Sequence, residues 1–150
     1  MRTGLLWMLV LLLLLCGCTA GETPYTVGDA QILLEAGLFN GDMGPVDKAV
    51  TAQLYGIDEA VIQDCACYMA ANTASSADEL TVLILTDEAA AGLAEAACQK
   101  RMKNQIEASR SYAPAVVPRL ENAVIRRSGN TVLFAVGDPE RLAKAVDGLH

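Results

Sequence analysis

From Leu5 to Leu15 the chain runs through eleven apolar residues without a break, with one basic residue, Arg2, ahead of them. A helix of that length covers only about 16 Å at about 1.5 Å per residue, against a hydrocarbon core of about 30 Å. No polar face interrupts the leucines, as one would in a helix packed on a globular core. A charged start, a short apolar run and small residues after it are the pattern of a secretory signal. An uncleaved anchor helix is the competing reading, and the length counts against it.

Beyond the run the pattern changes period several times. Residues 18–27 are polar, with Gly21 and Pro24, and read as a flexible tether. Asp29 is placed to cap a short helix to about Leu38, with Ile32, Leu33 and Ala36 as its apolar side. The stretch FNGDMGP reads as a loop. Pro45 or Asp47 starts a second short helix that ends before Gly56. VIQDCACYMAA predicts a strand, TASSADE a turn-rich link, and LTVLIL a strand apolar on both faces, hence central. Thr86-Asp87-Glu88 opens the longest helix, with two acids at the positive end of its dipole. It runs to about Arg110, with Ala94, Cys98, Met102 and Ile106 as its stripe and Ala90, Leu93 and Ala97 beside them.

Pro114 and Pro118 bracket a loop. LENAVIRR, SGN and TVLFAVG make a hairpin around a glycine turn. Asp138-Pro139-Glu140 starts a last helix that buries Leu142, Val146 and Leu149. The order α-α-β-β-α-β-β-α over residues 28–150 predicts one α+β domain. Its simplest packing is a four-stranded, mostly antiparallel sheet with helices on one face.

The end of the apolar run adds an address. Leu15-Cys16-Gly17-Cys18 resembles the bacterial lipobox, although Cys16 is an unusual residue before the small one. By that resemblance residues 1–17 are a signal peptide cleaved between Gly17 and Cys18. Cys18 then carries a diacylglycerol, and the protein sits on the outer face of the cytoplasmic membrane. Two or three acyl chains suffice for stable anchoring. The net charge of -7, from 11 basic and 18 acidic residues, argues against nucleic acid and against a polybasic membrane contact. The expected membrane contact is therefore the lipid, with no other cofactor.

Five cysteines are present, of which Cys65, Cys67 and Cys98 belong to the domain. Cys65 and Cys67 lie two apart on a strand, so they share a face; Cys98 lies on the helical stripe. Three arrangements are open: free thiols packed as small hydrophobes, a disulfide from Cys98 to a strand cysteine, or a soft-metal site. A direct Cys65–Cys67 bond is disfavoured, because alternate strand residues stand about 6.5 Å apart. Lys100, Arg101, Lys103, Arg126 and Arg127 form either a small anion patch or a solvated face. Tyr112-Ala113-Pro114 is either an aromatic at a binding rim or a helix stop with the ring folded over the core edge. The only histidine is His150, so no interior base stands by a serine. The pairs Asp58-Glu59, Asp78-Glu79 and Asp87-Glu88 read as turn or cap residues.

DELTVLIL, then Lys100-Arg101, Gln105, Tyr112-Ala113-Pro114, Leu120-Glu121-Asn122-Ala123-Val124-Ile125 and Gly129-Asn130 together resemble a family of small Gram-positive lipoproteins, domain of unknown function 4358. The resemblance runs over roughly the whole mature domain. It implies an extracytoplasmic lipoprotein and brings no activity and no catalytic residues. The sequence therefore leads to the expectation of a non-enzymatic binding or interaction module of the cell envelope, with an envelope protein as partner. The alternative is a small thiol-based redox or metal-binding protein using Cys65, Cys67 and Cys98. A solute-binding protein would need two lobes, for which the chain is too short.

Overall fold

A computed structural model describes residues 23–73 and 75–150. The expectations resting on the apolar run, Gly17 and Cys18 fall outside the described residues. The element order is α1 (Val27–Glu35), β1 (Met43–Val46), α2 (Lys48–Tyr55), β2 (Ile62–Ala70), β3 (Glu79–Leu85), α3 (Glu88–Tyr112), α4 (Val117–Glu121), β4 (Val124–Ser128), β5 (Thr131–Val136) and α5 (Leu142–Asp147). Single 3-10 turns precede β2 and α4, at Glu59–Val61 and Pro114–Val116. Among the described residues no helix is long and apolar enough to cross a membrane.

The described strands make one open sheet in the order β1-β2-β3-β5-β4, with every neighbouring pair antiparallel. β3 and β5 are central and almost wholly buried. Alternation along them sends Leu83, Leu85, Val132 and Phe134 to one face, under α2, α3 and α4. It sends Leu80, Val82, Leu133 and Ala135 to the other, under α1 and α5. Burying a leucine or phenylalanine on this scale contributes about 1.5–3 kcal/mol each, so both faces need cover.

The expected packing is corrected in two respects. The sheet has five strands, not four. The extra one, β1, lies within the stretch read as a loop and a helix start; its Pro45 is tolerated because β1 is an edge strand. The helices lie on both faces, since the two central strands are apolar on both sides.

Smaller corrections follow from local chemistry. Thr26, not Asp29, is the N-cap of α1; the Asp29 carboxylate reaches back to accept from the Thr26 N–H at 2.7 Å. Asp138 accepts from the N–H groups of Glu140 and Arg141, but α5 begins only at Leu142. Leu93 is 75% exposed and Ala91 takes its place on the stripe of α3. Tyr112 is 89% exposed, so its ring is not folded over the core; the helix stops because Ala113, at φ -148 and ψ 63, precedes Pro114.

Gly137 follows β5 at a close approach. A Cβ there would stand 2.9 Å from the Leu38 carbonyl oxygen and 3.1 Å from the Phe39 ring. The Leu38 carbonyl also accepts from the Asp138 N–H at 2.7 Å. The loop after α1 is thus pressed against the end of β5.

Candidate functional site

Glu79 is the first residue of β3 and shares the face of Thr81, Leu83 and Leu85. Its exposure is 0%. Arg101 lies three residues beyond Cys98 on α3, and Gln105 seven, so both come round to the inward side of the helix. Arg101 forks onto Glu79, with Nε 2.8 Å from Oε1 and Nη2 2.7 Å from Oε2. The Gln105 side-chain N–H donates to Glu79 Oε2 at 3.4 Å. The Tyr55 hydroxyl, from the last residue of α2, donates to Glu79 Oε1 and stands 2.9 Å from Thr81 Oγ1. The Arg101 guanidinium carbon lies 5.4 Å from the centre of the Tyr55 ring, and Tyr55 meets Phe134 edge-on at 6.1 Å. One carboxylate thus ties β3, α2 and α3 together.

Burial by itself lowers the Arg101 pKa; the hydrogen bonds and charge of Glu79 override that, and the guanidinium ends above its ordinary value. Burial, then the charge of Glu79, pushes the Tyr55 hydroxyl well above its ordinary 10.0. Both groups keep their neutral-pH form.

A second buried pair stands beside the first in sequence. Asp78 is forked by Arg119 of α4, at 2.7 Å (Nε to Oδ1) and 2.8 Å (Nη2 to Oδ2). The Asp78 carboxylate also accepts from the Asn40 N–H, and Arg119 Nη2 stands 3.5 Å from the Leu38 carbonyl. Asp78 and Glu79, read from the sequence as turn or cap residues, are therefore the anchors of two buried ion pairs.

Cys65, Cys67 and Cys98 do share the α2–α3 side of the sheet, as the strand and stripe positions suggest, and all three are free thiols. Cys98 packs into the core beneath α3, with Cys65 at its margin. The Cys67 sulfur accepts from the Thr81 hydroxyl at 3.2 Å. Among the described residues no group of three or more His, Cys, Asp or Glu is arranged to hold a metal ion. Burial raises the pKa of each thiol, and with the charge of Glu79 it takes Cys98 to about 12.

A folded-state pKa above the unfolded one contributes stability below the unfolded value, and that stability is lost as the pH rises. Unfolded thiols release their protons near pH 8.5 and unfolded tyrosine near pH 10, whereas the folded groups hold theirs. Urea midpoints are therefore expected to be flat from about pH 7 to 8, to fall above about pH 8.5, and to fall more steeply past about pH 10. Cys98→Ala flattens the first part of that fall. A midpoint unchanged up to about pH 10 would show the thiols to be solvated.

The expected basic patch does not form as one surface. Arg101 is turned inward onto Glu79. Arg126 and Arg127 are neighbours on β4 and so point to opposite faces; Arg126 pairs with Asp147 at 3.2 Å and Arg127 with Glu95 at 3.0 Å. Lys100 and Lys103 are exposed on α3.

Two clefts flank the Glu79 cluster. One, of about 230 Å³, opens between the end of α2 and the middle of α3, beside Tyr55, Lys100, Arg101 and Asn104. The other, of about 100 Å³, is bordered by Met69, Asp78, Gln105 and Ser109. The Gln105 Oε1 atom is buried without a partner among the described residues.

These features define a class: an α+β domain with an open antiparallel sheet between helices, in which a buried carboxylate–guanidinium cluster underlies a small surface cleft. The chain belongs to the family described as domain of unknown function 4358, whose model matches residues 36–137. That span contains Tyr55, Asp78, Glu79, Arg101, Gln105 and Arg119, and leaves α1 and α5 outside. No curated protein and no solved structure matches the chain. Three of the residues that carried the sequence resemblance, Glu79, Arg101 and Gln105, meet in space.

Proposed function

We propose that this protein is a lipid-anchored module on the outer face of the cytoplasmic membrane of a Gram-positive cell, acting by binding an envelope partner rather than by catalysis. The apolar run, Leu15-Cys16-Gly17-Cys18 and the polar tether support the anchor, through a diacylglycerol on Cys18. One observation carries the binding reading. The most deeply buried carboxylates, Asp78 and Glu79, are both held by internal partners, in forks that fix the helices on the sheet. Such groups are positioned to hold a shape, with both carboxylate oxygens of each engaged inside the domain. The thiol alternative has less support, because Cys98 is wholly buried and all three thiols are held toward their protonated form.

The test is crosslinking of the full chain in its own cells, followed by solubilisation, affinity capture and mass spectrometry. A single partner in near-equal amount is expected from the membrane fraction, and is lost when Cys18→Ala releases the protein. A chain absent from membranes, or captured with no partner, overturns the reading.

A further inference from the structure

The cleft between α2 and α3 is a place where positive charge is left over. Arg101 directs Nε and Nη2 at Glu79, so that pair is neutral, and Nη1 is the guanidinium nitrogen without a hydrogen-bond partner among the described residues. Lys100 borders the same cleft and supplies the one uncompensated positive charge. Among the described residues no acidic side chain lines it, in a chain with 18 acidic residues against 11 basic ones. Gln53 and Asn104 supply amide donors at the rim, and Leu54 and the Tyr55 ring supply apolar surface.

We propose that this cleft binds a carboxylate. A single uncompensated positive charge matches a monoanion better than a phosphate, which carries nearer two negative charges. The guanidinium is already locked by Glu79 and by the Tyr55 ring, so little freedom is lost when a ligand arrives. The volume of about 230 Å³ lies below the roughly 300 Å³ of the smallest drug-sized pockets. The ligand is therefore a carboxylate on a short apolar stem, either a free acid or the end of a partner's side chain or chain terminus. The inference rests on the binding-module reading above and gives its site a chemistry.

The test is a titration of the full-length protein in detergent micelles at low salt with sodium butyrate, with butan-1-ol and butylammonium as controls. It is read from the side-chain amide resonances of Gln53 and Asn104. Butyrate is expected to shift both resonances in a saturable way, and the two controls to shift neither. Lys100→Glu weakens the apparent affinity about tenfold or more, whereas Lys103→Glu, on the same helix but outside the cleft, leaves it within about twofold. Equal shifts from butyrate and butan-1-ol, or an unchanged affinity in Lys100→Glu, overturn the proposal.

The source of the carboxylate is decided by repeating the in-cell capture with Lys100→Glu. A partner that disappears carries the carboxylate itself, and a partner that remains points to a free acid. A failed titration with the partner still captured removes the carboxylate site alone. A successful titration with no partner in any capture removes the interaction reading instead.

Discussion

Arg101→Met lowers the stability of the domain by about 3–5 kcal/mol in urea unfolding, the usual cost of stranding one half of a buried ion pair. The size follows from what remains. Glu79 has 0% exposure and would keep, among the described residues, only the Tyr55 hydroxyl and the long contact to Gln105. Glu79→Gln costs less, because the Arg101 side chain, 14% exposed, can turn its charge toward water. The double variant Glu79→Gln with Arg101→Met recovers much of the loss, since both charges are then gone. If the single Arg101→Met variant unfolds within about 1 kcal/mol of the parent, the fork does not hold α3 on the sheet.

The second large effect is expected at Arg119. Arg119→Met strands Asp78, whose side chain is likewise fully buried, and costs a similar few kcal/mol. It differs from the first in its reach. Asp78 also receives the Asn40 N–H, and its own backbone carbonyl receives the Ala70 N–H at 3.0 Å. Loss of the guanidinium therefore loosens the loop after α1 before it loosens the core. Amide exchange at Asn40 should rise in Arg119→Met by more than the global loss of stability explains, and in Arg101→Met only in step with it. Equal protection at Asn40 in the two variants would show the loop to be held by its other contacts, among them the Asp138 N–H on the Leu38 carbonyl and Arg141 on the Ala36 and Gly37 carbonyls.

Much of the fold was legible because its signals are local. The glycine turn between β4 and β5, the long stripe of α3 and the apolar run of β3 each declare themselves within ten or so residues. β1 was hidden because Gly44 and Pro45, residues that punctuate loops, lie on an edge strand where both are permitted. The cover on both faces was implied by LTVLIL itself, since a strand apolar on each side needs two partners. Helices on one face alone would leave the other apolar side of β3 in water.

The site was harder to see because an ion pair is a long-range fact. Asp78 and Glu79 look like cap residues from their neighbours, and the partners stand 41 and 22 positions away. A usable signal did exist. Arg101 and Gln105 fall on the buried phase of a helix whose other inward residues are Ala94, Cys98 and Met102. A charged residue in an apolar phase calls for an opposite charge on the facing strand, and Glu79 occupies the inward phase of LTVLIL. Tyr55 offers no such signal, because nothing local in α2 shows which strand it packs on.

The point at which the chain enters the domain sets how far its cleft can lie from an anchor. Pro24 lies 3.8 Å from the Cβ position of Gly129, and the Tyr25 N–H donates to Thr131 Oγ1 at 2.9 Å, so the chain joins the sheet at the β4–β5 turn. Glu79 pairs with Val136 at the opposite end of β5, five strand steps or about 17 Å away. Under the anchoring proposed here, the six peptide units from Cys18 to Pro24 reach at most about 22 Å. The turn is then the foot of the molecule, and the cleft beside Arg101 is its head. On a flexible tether of that length the cleft would sweep a radius of at most about 40 Å from the anchor.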